Sequence, residues 1–440
     1  MTHLADYREA VLSGDLGRRI GWVRRLQGLS VQAEGPRAEV GEMCRIALPA
    51  AAGGVFAEVV GLAAEQVILM PYGSLRGVAS GCEVIALGRR ADVPVGTALL
   101  GRVIDGFGQA LDGAGDIACE EREMLETPAP TPMARPRIGR VLETGVRVID
   151  ALLTIGAGQR VGIFAGSGVG KSTLLAMITR HARADVNVIA LIGERGREVR
   201  EFIEEQLGAE GLARSVVVVA TSEQPALARI RAAHAAVAIA AWFRERGNDV
   251  LLTMDSVTRL AMARREVGLA AGEPATARGY TPSVFAELPQ ICERCGTAPS
   301  GGSITALFTV LVEGDDLNDP IADSMRSVLD GHIVLSRDLA QQGHFPPVDV
   351  LKSASRLMGD LASADERAGA AEAVRNLAVL ERNRQLVELG AYVQGTNAAL
   401  DAALAIEAPL FAWLRQDSGG VPRGEALASL RRIFHPGGPS

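Results

Sequence analysis

The sequence predicts an α/β protein with a small β-barrel at its N-terminus and a helical domain at its C-terminus. From about Gly145 to Pro347, apolar strand-like runs alternate with helical segments, which is typical of a parallel sheet. Before that region, short β-prone runs are broken by Gly and Pro at close intervals, which favours a small antiparallel barrel. After about Val350 the strand-like runs end, and Ala- and Leu-rich segments follow helical spacing.

Length and composition narrow the class of protein. A chain of 440 residues is expected to form two or three domains. The sequence contains no uninterrupted apolar stretch of about 18 residues, so we expect no transmembrane helix. The first ten residues lack the basic-then-apolar order of a signal peptide, which predicts a cytoplasmic protein. The net charge of −7 and the 4% of aromatic residues argue against a nucleic-acid partner.

The N-terminal segments are interpreted in chain order. Residues 1–18 are predicted to form a short amphipathic helix that binds a partner, with Leu4, Tyr7 and Val11 on its apolar side. The barrel is expected over residues 19–90. Its β-prone runs are Gly21–Val31, Glu39–Leu48, Gly54–Leu62, Gln66–Pro71 and Cys82–Ala86. Thr127 to Arg137 contains four prolines and is interpreted as a rigid linker.

The central and C-terminal segments are expected at residues 91–349 and 350–440. Strands of the central sheet are predicted at Val161–Ala165, Val188–Ile192, Val216–Ala220, Val250–Met254 and Ile304–Leu311. Leu361–Gly390 and Ala398–Gln416 are predicted as helices of the tail. Cys292 and Cys295 form a lone C-x-x-C pair, and a zinc site would need two more ligands. We interpret them as reduced thiols on a helix face.

A glycine-rich loop follows the first strand of the central region. Val161–Ala165 leads into Gly166-Ser167-Gly168-Val169-Gly170-Lys171-Ser172-Thr173, and Leu174 to His181 is predicted as a helix. Glycines let backbone N–H groups turn towards phosphate oxygens, and the helix directs its positive N-terminal end at the same place. Lys171 would reach the β- and γ-phosphates, and the Ser172 hydroxyl would bind Mg²⁺. Ala165 occupies the position where the formal pattern has its first glycine. The loop predicts binding of a nucleoside triphosphate.

Two acidic residues end neighbouring apolar runs. Asp255 ends the run Val250–Asp255 and is predicted to hold Mg²⁺ through water, although an Asp in this turn can also cap a helix. Glu194 follows the run that begins at Val188. A carboxylate there can polarise a water opposite the γ-phosphate, or it can form an ion pair with a nearby arginine. The residues alone leave both alternatives open.

The order of these motifs resembles the rotary ATP synthase α/β superfamily. Besides the phosphate loop and Asp255, the resemblance rests on Gly193–Glu198, on Asp315–Pro320 and on Pro346–Arg356. Residues 346–355 fit that superfamily's signature, P-[SAP]-[LIV]-[DNH]-x-x-x-S-x-S. Arg278–Pro289 and residues 388–395 are similar to the type III export ATPases. Residues 196–202 lean towards the flagellar members.

The resemblance implies a RecA-like ATPase core between the barrel and the helical domain. It also implies a homohexamer with its sites at subunit interfaces. Glu194 matches the catalytic carboxylate, where non-catalytic subunits carry Gln, and Arg195 follows it as in catalytic members. Arg356 matches the arginine finger that acts on the neighbouring subunit's γ-phosphate. Phe345 stands where the family keeps an aromatic residue, usually Tyr, that packs on adenine.

The function implied is a hexameric ATPase that hydrolyses ATP, with Mg²⁺, to energise flagellar type III protein export. The implied partners are a stator-like regulator, a central stalk-like export protein, the membrane proteins of the export gate, and chaperone–cargo complexes. The implied location is the cytoplasm, peripherally at the inner-membrane export apparatus.

Four alternatives stay open at this point. The first is a virulence, or injectisome, export ATPase, because both systems share every catalytic residue. The second is the catalytic subunit of a rotary ATP synthase, although residues 394–401 replace its acidic loop. The third is a hexameric nucleic-acid motor, which would need a basic, aromatic-lined surface. The fourth is a structural nucleotide-binding subunit, which Glu194 opposes.

Overall fold

The structure is a computed structural model that describes residues 18–48, 54–64, 66–312, 314 and 316–435. The helix predicted over residues 1–18 therefore lies outside the described residues, apart from Arg18.

Six antiparallel strands form the N-terminal barrel. They are β1 (Ile20–Gln27), β2 (Ser30–Glu34), β3 (Glu42–Ile46), β4 (Val55–Ala63), β5 (Gln66–Pro71) and β6 (Glu83–Arg90). The strands close in the order β1-β2-β5-β4-β3-β6. The prediction of one run over Gly21–Val31 is wrong, because this segment is a hairpin. Its turn contains Gly28 at φ +58°, a left-handed conformation that favours glycine.

The central sheet is mostly parallel. Between the barrel and the sheet, β7 (Asp92–Val95) pairs with β9 (Glu121–Met124), and β10 (Val141–Leu142) pairs with β11 (Ile155–Gly156). The sheet contains β8 (Val103–Ile104), β12 (Arg160–Ala165), β13 (Val186–Ile192), β14 (Ser215–Ala220), β15 (Asp249–Asp255), β16 (Gly296–Thr297), β17 (Ser303–Leu311), β18 (Gly331–Leu335) and β19 (Val348–Ser355). The main path runs β19-β18-β12-β17-β15-β13-β14-β8, and only β19 and the short β16 pair antiparallel.

Helices cover this sheet. They are α1 (Arg147–Leu152), α2 (Lys171–His181), α3 (Gly196–Glu201), α4 (Gly208–Ala213), α5 (Ala226–Glu245), α6 (Val257–Ala270), α7 (Pro282–Arg294), α8 (Pro320–Val328) and α9 (Arg337–Gln341). A π-helical turn, Phe202–Leu207, joins α3 to α4. Within the described ranges, α5 alone has the length and apolar composition of a membrane span. Because 78% of its apolar window is buried against the rest of the protein, α5 is a core helix here.

The tail begins later than the sequence indicated. Strand β19 continues to Ser355 rather than ending near Val350, because it pairs with β18 from Leu335↔Val348 to Gly331↔Ser355. Four helices follow, α10 (Met358–Leu361), α11 (Ala364–Glu388), α12 (Ala398–Leu414) and α13 (Arg423–Phe434). Cys292 and Cys295 are buried free thiols at the end of α7. In the part of the chain that the structure describes, no three or more His, Cys, Asp or Glu side chains form a group that could hold a metal ion.

Candidate active site

The glycine-rich loop connects β12 to α2, as the sequence predicted. Gly168 and Gly170 adopt φ values of +74° and +97°, in the left-handed region that side chains disfavour. Gly170 is the N-cap of α2, and Lys171 begins the helix. The first N–H groups of a helix have no partner within it, so this end of α2 suits an anion such as phosphate.

Neighbouring parallel strands bring the two predicted acids to this loop. Strand β13 lies beside β15 with Leu191 opposite Asp255, so Glu194 follows β13 at the same edge of the sheet. Lys171 Nζ contacts Asp255 Oδ1 and lies 3.7 Å from Glu194 Oε1. The three side chains are only 10%, 6% and 14% exposed, respectively. One buried ammonium is therefore shared by two carboxylates.

The environment shifts the proton affinity of Glu194. Burial and, to a smaller extent, the neighbouring Asp255 carboxylate raise the pKa of Glu194 to about 7, although the Lys171 ammonium opposes the shift. A carboxyl group that titrates near neutral pH can exchange a proton with a bound water under working conditions. This property suits the water-activating role better than that of a permanently charged ion-pair partner.

Two more residues, which the sequence analysis did not single out, reach this cluster. The Thr309 hydroxyl on β17 donates to Asp255 Oδ1 at 2.8 Å. Arg259, in the first turn of α6, packs against Gly193, where an added Cβ would come within 2.9 Å of the Arg259 Cβ. Its positive charge also lowers the pKa of Glu194. The position of Arg259, four residues after Asp255 in the following helix, is a sequence signal that could have identified it.

The donor set at the loop suits magnesium. Ser172 is in the first turn of α2, and Asp255 ends β15 next to Lys171. Hydroxyl and carboxylate oxygens are hard ligands, and Mg²⁺ usually takes only one or two protein oxygens, together with waters and substrate phosphates. Ser172 and Asp255 therefore fit a magnesium ion that arrives with a nucleotide.

Phe345 borders the same loop. Its side chain is 48% exposed, and its ring lies 3.6 Å from where a Cβ on Gly170 would be. The Phe345 carbonyl accepts a hydrogen bond from Gln416 N at 2.9 Å, which holds the segment against the tail. A half-exposed aromatic ring next to a phosphate loop is available for stacking on a base.

The two predicted arginines lie apart from the cluster. The Arg195 side chain is exposed and pairs with Glu198 at 3.3 Å. Arg356 follows Ser355, which lies opposite Gly331, and Gly331 lies opposite Val161 at the amino end of β12. The phosphate loop follows the carboxyl end of β12. At about 3.3 Å per residue, the strand from Val161 to Ala165 alone spans roughly 13 Å. Arg356 is therefore on the opposite edge of the sheet from the phosphate loop of its own chain.

Known protein families match each of the three regions of this chain. The nucleotide-binding domain of the ATP synthase alpha/beta family matches residues 145–355, and the beta-barrel domain of that family matches residues 23–88. The C-terminal domain of the T3SS EscN ATPase matches residues 362–432. The three matches follow one another in the order of the barrel, the sheet and the tail.

Relatives from two secretion systems are similar along most of their length. The flagellum-specific ATP synthase of Treponema pallidum is 51% identical, over 94% of this chain and 92% of the relative. The type 3 secretion system ATPase of Xanthomonas euvesicatoria is 50% identical, over 88% of each chain. The assembled ATPase EscN of the enteropathogenic E. coli type III secretion system superimposes with a TM-score of 0.88. Its sequence is 42% identical, and the match covers 94% of this chain and 99% of EscN.

These matches confirm the predicted fold of a β-barrel, a RecA-like ATPase core and a helical C-terminal domain. They also confirm that the loop belongs to a nucleotide-binding ATPase of protein export. The chain belongs to the ATP synthase alpha/beta family, in its branch of flagellar and type III secretion ATPases.

Proposed function

We propose that this chain hydrolyses ATP in a homohexameric ring and that hydrolysis energises flagellar type III protein export. The observation that carries the proposal is the buried cluster of Lys171, Glu194 and Asp255 beside the glycine-rich loop. It supplies a cation for phosphate and a carboxylate with a raised pKa for water. Both are requirements of phosphoryl transfer to water.

Each residue of the site then has a distinct task. The loop from Gly166 to Thr173 binds the phosphates through its backbone N–H groups, and Lys171 holds the β- and γ-phosphates. Glu194 orients and polarises the attacking water. Ser172 and Asp255 would hold Mg²⁺, which when bound neutralises charge on the phosphates. Phe345 stacks on the adenine ring through its exposed face.

Assembly completes the site. Arg356 lies at the sheet edge opposite its own phosphate loop, which supports a role at the site of another chain. We propose that Arg356 is an arginine finger in trans, with Arg195 lying close to the same interface. EscN is described in an assembled state, which supports a ring of this type for a chain 42% identical to it.

The tail offers a surface for a central stalk. EscN is also described in complex with its central stalk EscO. In this chain the connection between α11 and α12 exposes Leu386, Leu389 and Val393, and Leu389 is 82% exposed. Exposed apolar residues at a helical hairpin tip are typical of a contact site. We propose that this tip contacts a stalk-like export protein.

The remaining assignments complete the proposal. Residues 1–18 bind the stator-like regulator, and residues 19–90 form the barrel. The ATPase domain begins at residue 91 and includes all of β19, to Ser355, and the helical domain follows it. The ring works in the cytoplasm at the inner-membrane export apparatus and receives chaperone–cargo complexes for the membrane proteins of the gate. Nucleic acid is not a partner.

A second candidate is the injectisome ATPase, which the similarity to the Xanthomonas protein favours. A chromosomal deletion of the gene decides between the two systems. The flagellar assignment predicts loss of filaments and of secreted flagellin, with restoration by the wild-type gene and none by a Glu194→Gln version. Normal filaments together with loss of effector secretion would favour the injectisome instead.

A further inference from the structure

A cavity of about 330 Å³ lies at the sheet edge that carries Arg356. It is formed by the end of α8, the start of β18 and the end of β19. Its polar lining consists of Asp323, Arg326, Ser327, His332 and Arg356. Two guanidinium groups thus share one cavity with a single carboxylate, so the cavity carries a net positive charge.

Neither guanidinium is held in a strong ion pair. Arg356 Nη2 donates only to the main-chain oxygen of Arg326, at 3.4 Å, and no carboxylate among the described residues pairs with Arg356. Arg326 Nη2 lies 3.1 Å from Asp323 Oδ1, but the Asp323 side chain is 74% exposed. Exposed pairs one helical turn apart contribute little stability, so Arg326 can leave Asp323 for a more highly charged anion.

His332 lines the same cavity as the two arginines. Its Nε2 faces the Lys352 carbonyl at 3.0 Å and therefore donates to it, which leaves Nδ1 without a proton in the neutral ring. Burial lowers the pKa of His332, and the charges of Arg326 and Arg356 lower it further. Both guanidiniums and the imidazole therefore line the same small cavity.

We propose that Arg326 is a second cation of the arginine finger surface, acting with Arg356 on the phosphates of the nucleotide bound by the neighbouring chain. The inference rests on the proposed function, in which Arg356 acts in trans. Negative charge develops on the leaving β-phosphate as the γ-phosphoryl group transfers, so a second guanidinium adds to the stabilisation that the finger provides. Guanidinium suits this task because its planar donors match phosphate oxygens.

The first test compares Arg326→Met, which keeps the length of the side chain, with Arg326→Lys and with Asp323→Asn. In assembled rings, Arg326→Met should lower kcat by about 10- to 100-fold with KM changed less than threefold, and Arg326→Lys should lower it less. Asp323→Asn removes the competing carboxylate and should keep or raise kcat. Arg326→Met should also fail to trap ADP with aluminium fluoride, a transition-state mimic, while binding ADP normally.

The second test determines which half of the subunit interface depends on Arg326. Mixed with Lys171→Ala subunits, Arg326→Met subunits should recover activity, because some interfaces then combine two intact halves. When Arg326→Met subunits are mixed with Arg356→Ala subunits, no activity should be recovered, because both substitutions damage the same half of the interface. Thermal melting and sizing of the rings establish that each variant is folded and assembled.

The outcomes distinguish the role of Arg326 from the role of Arg356 in trans, on which it rests. Wild-type kcat and normal trapping in Arg326→Met, or recovery when it is mixed with Arg356→Ala, would overturn the role of Arg326 alone. If Lys171→Ala and Arg356→Ala subunits form mixed rings but do not restore each other's activity, Arg356 does not act in trans. The role proposed for Arg326 would then be refuted as well.

Discussion

The hydroxyl of Thr309 and the side chain of Lys171 meet on one oxygen, Asp255 Oδ1. The hydroxyl comes from β17 and the ammonium from α2, so Asp255 is fixed from two sides at the end of β15. An acid held in this way keeps its second oxygen free for a metal-bound water.

Thr309→Val should therefore weaken catalysis without unfolding the protein. Valine has almost the same shape, and position 309 is fully buried, but the hydroxyl donor to a charged group is lost. Such bonds are worth about 1.5–3 kcal/mol, so we expect kcat/KM to fall about tenfold or more. Steady-state hydrolysis measures the effect, and Thr309→Ser, which keeps the hydroxyl, is the matched control. Full activity in the valine variant would show that Asp255 needs no second anchor.

The raised pKa of Glu194 predicts a pH dependence. Below its pKa of about 7 the carboxyl is protonated and cannot polarise water, and above it the carboxylate forms. We therefore expect kcat/KM, which reports the free enzyme, to fall as the pH drops below 7 and to level off above it. ADP affinity measured over the same range is the control for general damage. A profile that is flat down to pH 5 would mean that Glu194 titrates near its ordinary value.

Deleting residues 1–16 tests the N-terminal segment, which lies outside the described residues. A short helix with an apolar side is marginal alone in water and gains order from a surface on which it packs. We expect the truncated protein to stay folded and to keep its basal ATPase activity, while losing co-purification with the stator-like regulator. A lower melting temperature with regulator binding intact would instead make the segment part of the barrel.

The sequence predicts those site residues that lie at or just beyond the ends of strands. Asp255 ends an apolar run, Glu194 follows another, and Lys171 begins the helix after the loop that follows a third, and parallel strands bring such ends to one edge. Thr309 was not predicted, because it lies inside the apolar run of β17 and its partner is set by the neighbouring strand. Only the tertiary register brings it to Asp255.

The errors in the fold have similar causes. The sequence predicts one run across the β1–β2 hairpin because Gly28 is the only glycine in its middle and the apolar residues Leu26 and Leu29 lie close to it on either side. The sequence does not predict the end of β19 because Leu351–Ser355 has no buried residue and therefore lacks the pattern of a buried strand. The position of Arg356 relative to the phosphate loop also depended on strand order, which the sequence pattern does not contain.

We propose that Glu194 acts on water while Lys171 holds phosphate. These tasks belong to the transition state and the ground state respectively, so substitutions should separate them.

The most direct measurement is ATP affinity beside single-turnover hydrolysis, on purified wild type, Glu194→Gln and Lys171→Ala. We expect Glu194→Gln to bind ATP with an affinity near that of the wild type and to have no measurable turnover. Lys171→Ala should lose binding itself. Normal turnover by Glu194→Gln would contradict the catalytic assignment.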